Sequence, residues 1–274
     1  MTFAAAVGAA CGSDVRDARR VAGGDINEVW AMELVDGRRL FVKTRDDAAA
    51  GEYAAEAAGL HWLGEAIAVP SVVAVDDRFL ALEYVDAGQL DGHGEEQLGR
   101  ALAAMHALGA PAFGFSPAGG PLRLGAVVCP NDERPTWPRF YADCRLAPVA
   151  AQAGLAIDVE PVCERIDELC GPSEPPARIH GDLWSGNVLP GADGVARLID
   201  PAAYGGHREV DLAMLRLFGS IPPRTWAAYH EAHPLADGHE QRVGLYQLFP
   251  LLVHAALFGG GYLRQAQSVA RSLA

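Results

Sequence analysis

His180-Gly181-Asp182-Leu183-Trp184-Ser185-Gly186-Asn187 is the stretch on which the reading of this chain turns. It places an acid five positions before an amide, and Leu198-Ile199-Asp200 adds a second acid thirteen positions after that amide. Phosphoryl transfer from a nucleoside triphosphate needs this inventory. One carboxylate receives the proton of an attacking hydroxyl, and an amide oxygen with a second carboxylate holds the metal that neutralises the phosphates. The order H-x-D-x-x-x-x-N, followed by a strand ending in Asp, is that of a kinase catalytic loop. Asp182 is the candidate general base, and Asn187 and Asp200 are the candidate Mg2+ ligands. A bare His-Gly-Asp is only a turn; the two partners at this spacing argue otherwise. His180 is expected to organise the loop through hydrogen bonds rather than to catalyse.

Upstream, the chain reads as an antiparallel sheet. Val15 to Val21, Glu28 to Leu34 and Leu40 to Lys43 form three strands, with Asp36-Gly37 a strong hairpin turn. Ala48 to Glu65, rich in Ala, Glu and Leu, predicts a helix. Val72 to Val75 and Phe79 to Val85 form a second hairpin, and a Gly/Asp-rich linker runs from Asp86 to Gly94. Beyond it the pattern is helical: Glu95 to Leu108, Trp137 to Ala153, Val159 to Cys170, and helices starting near Glu209, Pro222 and Asp237. The fold class is α+β, a bilobal kinase-like arrangement. The expected division is an N-terminal nucleotide-binding lobe over 1–86 and a larger, mostly helical catalytic and acceptor-binding lobe over 87–274.

Four further features fit ATP binding. Lys43 ends an apolar strand, where a lysine is ordinarily just solvated, but a helix with Glu56 follows and could supply its partner. Glu52 lies one turn earlier on the same face, and periodicity cannot separate i from i+4. Gly23-Gly24-Asp25-Ile26-Asn27 joins the first two strands, where glycines would let backbone N–H groups approach phosphate; Gly23, Gly24 and Asn27 are the candidates. Two glycines in a hairpin are also simply a turn. Glu83-Tyr84-Val85 closes the last strand, where backbone groups would meet adenine.

Composition narrows the alternatives. The 274 residues are 50% hydrophobic and carry a net charge of -13, which argues against a nucleic-acid binder or an anionic membrane surface. Val243 to Leu263 lacks Asp, Glu, Lys and Arg, but Pro250, His254 and Gly259 to Gly261 favour a helix pair buried in a lobe. The apolar start, Met1 to Cys11, has no basic residue before it and predicts a short helix on the first lobe rather than a signal peptide. Five cysteines without C-x-x-C spacing read as reduced thiols in a cytoplasmic protein, with Cys163 and Cys170 sharing one helix face. His230-Glu231-Ala232-His233 is one residue short of a zinc-hydrolase motif. His106, on an apolar helix, reads as structural.

The chain resembles the fructosamine kinase (ketosamine 3-kinase) family within the aminoglycoside-phosphotransferase-like kinases. The resemblance rests on the His180–Asn187 loop with its Trp-Ser-Gly insert, on Leu198-Ile199-Asp200-Pro201-Ala202, and on Arg208-Glu209-Val210-Asp211-Leu212-Ala213. Gly23-Gly24-Asp25-Ile26-Asn27 and Glu56-Ala57-Ala58-Gly59-Leu60 add to it, and the latter favours Glu56 over Glu52. It implies ATP- and Mg2+-dependent phosphorylation of the C3 hydroxyl of a ketosamine, free or protein-bound, after which the sugar is lost and the amine is deglycated. It also implies Trp184 and His254 as acceptor-site residues, against the alternative that both pack between helices. Three departures from the family pattern fall where an acceptor could bind: Ala118-Gly119-Gly120-Pro121 after Phe113-Gly114-Phe115, Gly206-His207 before Arg208, and Pro250 with Val253. A kinase for an aminoglycoside, amino alcohol or other sugar is the alternative enzyme. A nucleotide-binding pseudokinase is the rival outside enzymes; retention of Asp182, Asn187, Asp200 and Lys43 argues against it.

Overall fold

The computed structural model describes residues 2–21 and 28–274. The chain opens with α1 (Phe3–Cys11), whose N-terminus is capped by the Thr2 hydroxyl accepting from the Ala5 N–H at 3.3 Å. Five antiparallel strands follow: β1 (Val15–Val21), β2 (Glu28–Leu34), β3 (Arg39–Thr44), β4 (Val72–Asp76) and β5 (Phe79–Glu83). Their order in the sheet is β1-β2-β3-β5-β4. Helix α2 (Glu52–Leu63) lies between β3 and β4 in sequence.

Strand alternation assigns the two faces of this sheet. Phe79 and Ala81 pack with Leu40, Val42 and the α1 residues Ala6 and Val7. Leu80 and Leu82 pack with Tyr53, Ala57 and Leu60 of α2. Lys43 stands opposite Leu80 in the β3–β5 ladder and so shares its face, the one that α2 covers. The lysine therefore meets the helix because of its parity on the strand.

The expected linker is pinned rather than loose. Asp86 O accepts from the Ala192 N–H at 2.8 Å, and the Gly88 N–H donates to Pro190 O at 2.8 Å. Helix α3 (Gly92–Ala107) begins inside it, capped by Asp91, whose side chain accepts from the Gly94 N–H at 2.8 Å. The hairpin β6 (Leu122–Leu124) and β7 (Val127–Cys129) follows. The helix expected over 137–153 is broken into α4 (Trp137–Tyr141), a π-helical turn over Ala142–Leu146, and α5 (Ala147–Gln152). The widened turn coincides with Arg145, whose fully buried guanidinium lies 4.5 Å from the Phe140 ring and 4.1 Å from the Tyr204 ring. The helix expected over 159–170 is likewise two, α6 (Ala156–Glu164) and α7 (Ile166–Leu169), because the chain leaves helical geometry at Arg165 (φ -101°, ψ 11°). Cys163 and Cys170 are thus not on one helix, and all five cysteines are free thiols.

Two short ribbons hold the two loops that carry the acids. β8 (Ala177–Ile179) pairs with the later β11 (Tyr204–Gly206), and β9 (Val188–Pro190) pairs with β10 (Ala196–Leu198). The 180–187 loop runs from β8 to β9, and the 199–203 loop from β10 to β11. Helices α8 (Glu209–Leu217), α9 (Pro223–Ala232), α10 (His239–Phe258) and α11 (Gly260–Leu273) complete the chain. The uncharged 243–263 stretch is a helix pair broken at Gly259, and no helix among the described residues is long and apolar enough to cross a membrane.

Candidate active site

The site forms where α2 meets the two ribbon loops. At Gly59 the helix touches the second loop so closely that a Cβ would lie 3.3 Å from Pro201 Cγ. Just past α2, Glu65 Oε2 accepts from Arg178 Nη1 of β8 at 2.8 Å, and the guanidinium stacks 4.6 Å from the Trp62 ring. Leu63 and Ile67 share one core cluster with Leu98 and Leu102 of α3, Leu198 and Ala203. The end of α2 is therefore packed directly on the segment that presents Asp200.

Lys43 Nζ lies 2.6 Å from Glu56 Oε1 and also bonds Asp200 Oδ1. Burial by itself would lower the pKa of this ammonium; the two carboxylates outweigh it and hold the pKa above lysine's ordinary value. Glu56, not Glu52, is the partner. Glu52 is used locally: its Oε2 accepts from the Ala49 N–H at 3.0 Å and from Arg45 Nη2 at 2.9 Å. The same local turn delays the start of α2 beyond the expected Ala48.

The catalytic loop is held by its own backbone and by α8. Gly181 has φ +81°, and a Cβ there would come within 2.1 Å of Ala202 O, so only glycine fits. His180 Nε2 lies 2.9 Å from Ile199 O, and the Asp182 N–H donates to His180 Nδ1 at 3.3 Å. The imidazole thus joins the two loops as a neutral ring, and burial lowers its pKa. Asn187 Nδ2 donates to Asp182 O at 2.8 Å and to Asp182 Oδ2 at 3.3 Å. With the nitrogen so engaged, the amide oxygen is the atom left for a metal ion. Asp200 has φ +56° and is the one positive-φ residue other than glycine among those described. Aspartate tolerates this geometry better than most side chains. Its carboxylate is 45% exposed, so one hard oxygen can serve a metal while the other meets Lys43. Burial, and then the Asp200 carboxylate, push the Asp182 carboxyl up to about 6, against the hydrogen bond from Asn187.

The structure adds Asp211, on α8, to the residues that hold this loop. Its Oδ2 accepts from the His180 N–H at 2.7 Å and its Oδ1 from the Gly181 N–H at 2.9 Å. His106 Nε2 lies 3.2 Å from the same carboxylate, and His106 Nδ1 lies 2.8 Å from the Tyr229 hydroxyl. Asp211 is fully buried, so these donors meet its charge without water. Its spacing within Arg208–Ala213 was the only sequence signal. The same helix is anchored by two bidentate pairs, Arg208 with Glu174 at 2.7 Å and Arg242 with Glu209 at 2.6 and 3.0 Å. Glu174, His207 and Glu209 lie close enough to suggest a metal site, but those guanidinium groups already occupy the carboxylates.

Beside Asp182 lies a cleft that is partly open to solvent. Its walls are Leu124 from β6, Val210 and Met214 from α8, and Phe249, Pro250 and Val253 from α10; Gly181, Asp182 and His254 complete it. The structure thus brings His254 to Asp182. Trp184, 37% exposed, covers Gly186 and is not among those walls. Of the three departures, Pro250 and Val253 line the cleft. His207 does not: it is buried between Trp137 and Tyr246, with ring centroids at 5.7 and 5.2 Å. The departure at Gly119-Gly120 lies on exposed turns outside the walls.

At the candidate adenine strand, the Glu83 N–H donates to Ser71 O at 2.9 Å and the Tyr84 N–H to Arg39 O at 3.0 Å. The Val85 N–H has no hydrogen bond among the described residues, which leaves it free for a ligand. Gly23, Gly24 and Asn27 lie outside the described residues.

A lysine–glutamate pair on a five-stranded antiparallel sheet, facing the 180–187 loop and Asp200, defines a protein-kinase-like fold of the phosphotransferase type. An aminoglycoside phosphotransferase captured with ADP and hygromycin B has this fold, with a TM-score of 0.59 at 16% identity, over 99% of each chain. The chain belongs to the fructosamine kinase family, whose model matches residues 2–274. A provisionally named fructosamine-3-kinase from Thermobifida fusca superposes with a TM-score of 0.91 at 44% identity, over 99% of this chain and 98% of that one. A provisionally named ketoamine kinase from Synechocystis is 36% identical over 268 residues, 93% of this chain and 89% of the relative.

Proposed function

We propose that this kinase transfers the γ-phosphoryl group of ATP to the C3 hydroxyl of a ketosamine, so that the amine is later released from its sugar. The observation that carries the reading is the convergence of Lys43, Glu56 and Asp200 with the Asp182–Asn187 loop, next to a cleft that is partly open to solvent. Asp182 orients the acceptor hydroxyl and takes its proton as the O–P bond forms and the bond to the β-phosphate breaks. Lys43, held by Glu56, positions the phosphates, and the Val85 N–H is offered to the base. Asn187 and Asp200 present the hard oxygen donors that suit Mg2+, which when bound neutralises charge on the phosphates. Trp184 and His254 are the acceptor-side residues of this reading, with His254 favoured by its place in the cleft.

The acceptor, free or protein-bound, is a soluble ketosamine in the cytoplasm; the acidic net charge of -13 and the five free thiols support that setting over a nucleic-acid or membrane partner. The test is ATP consumption with Mg2+ against fructose-lysine, ribulose-lysine, an aminoglycoside and choline. Phosphate appearing at C3 of a ketosamine is the expected result. Turnover only on the aminoglycoside or choline would discard the ketosamine reading while keeping the kinase.

A further inference from the structure

The polar side chains of the cleft are of one kind. Asp182 accepts hydrogen bonds. His254 Nδ1 lies 2.8 Å from the Pro250 carbonyl oxygen, so that nitrogen must carry the proton. In the neutral ring Nε2 is then an acceptor as well. Every other side chain in the walls is apolar, and no Lys or Arg lines the cleft among the described residues. The His254 ring also belongs to an aromatic group with Phe218 at 4.6 Å, Tyr262 at 5.0 Å and Phe258 at 5.7 Å, and Phe258 is 62% exposed.

On the ketosamine reading, we propose that this cleft selects its acceptor by the charge carried next to the amine. Hydroxyls and a protonated secondary amine are donors and match Asp182 and His254 Nε2. An apolar or cationic amine substituent finds the aromatic group, which attracts cations through its ring faces. A carboxylate on the carbon next to the amine finds neither. It loses its water against Leu124, Met214 and Val253, stands near the Asp182 charge, and meets no cation. Adducts on the α-amine of a free amino acid are therefore rejected. The same residue at the start of a peptide, where the carboxylate has become an amide, is accepted. A lysine side-chain adduct is accepted too, because its carboxylate sits at the far end of the chain.

Fructosyl-glycine and fructosyl-glycinamide form the matched pair that tests this, since they differ in charge and barely in size. With the full chain, ATP and Mg2+, kcat/KM should favour the glycinamide adduct by about tenfold or more. Rates within about twofold of each other, or a preference for the acid, would overturn the charge selection alone. No turnover of either adduct by a chain that phosphorylates fructose-lysine or ribulose-lysine would overturn the selection alone, and silence on the lysine adducts as well would overturn the ketosamine reading. A second arm uses Leu124→Lys, which adds a cation to a half-buried wall position. The ratio should move toward the acid. An unchanged ratio in a variant that still turns over the glycinamide adduct would show that the cleft is not where charge is sensed.

Discussion

On the nucleotide side of the site nearly every functional group is charged or an amide, and each answers another: Lys43 answers Glu56 and Asp200, and Asn187 answers Asp182. On the cleft side most of the wall is Leu, Val, Met, Phe or Pro, and only Asp182 and His254 add polar side chains. Phosphate chemistry restricts which residues will serve, because a proton acceptor, a metal ligand and a cation are not interchangeable with other side chains. An apolar wall is restricted only in shape, so many residues serve equally well. The difference explains why one side is written in motifs and the other is not.

The largest effect should come from removing the one residue shared by the two sides. Asp182→Asn keeps the shape but cannot take a proton, and kcat should fall by about a hundredfold to ten-thousandfold. Nucleotide titration should show binding retained; undiminished turnover would refute the assigned base. Next is Asp211→Asn, which removes one of two oxygens that accept the His180 and Gly181 amides. A buried amide left without its acceptor costs about 1–3 kcal/mol, read by urea denaturation. A variant as stable as the native chain would mean that the catalytic loop does not depend on α8.

The third test concerns a departure that proved to lie in the core. Burial lowers the His207 pKa from 6.5 to about 4, against the pull of Glu174. The unfolded chain then binds more protons than the folded one between those values, so stability falls as pH drops through this window. At pH 5 the loss is about 2 kcal/mol relative to neutral pH. His207→Phe should flatten that part of the urea midpoint-versus-pH curve, and an unaltered slope would assign it to other groups. The smallest effect is a contrast between two acids one turn apart. Glu56→Gln should lower kcat/KM for ATP by about tenfold through loss of a charge-assisted bond to Lys43. Glu52→Gln should leave ATP kinetics near native, and equal losses from the two changes would dissolve the distinction between them.

Much of the frame was readable in advance. The alternating strands, the Asp36-Gly37 turn and the helix pair over 243–263 all follow from local periodicity, which needs no distant partner. The breaks at Ala142–Leu146 and Arg165 were not readable. The first coincides with a guanidinium buried among rings from Phe140 and Tyr204, and Tyr204 comes from a strand far along the chain. The resemblance sets Gly206-His207 among the departures that fall where an acceptor could bind; the His207 side chain instead stacks on Trp137 and Tyr246 in the core. Trp184, two positions from Asp182 by number, stays outside the cleft walls, whereas His254, far away by number, enters them.

The sequence by itself determined the candidates: the roles proposed for Asp182, Asn187, Asp200 and Lys43 are ones that few other side chains can fill, and their order and spacing expose them. Tertiary structure decided that Glu56, which the resemblance only favoured, pairs with Lys43, which buried carboxylate holds the 180–187 loop, and what lines the cleft beside Asp182. Glu52 and Glu56 occupy equivalent positions on a helix face and differ only in what lies opposite them. The cleft draws on β6, α8, α10 and the catalytic loop, segments with no shared pattern until packing brings them to one point.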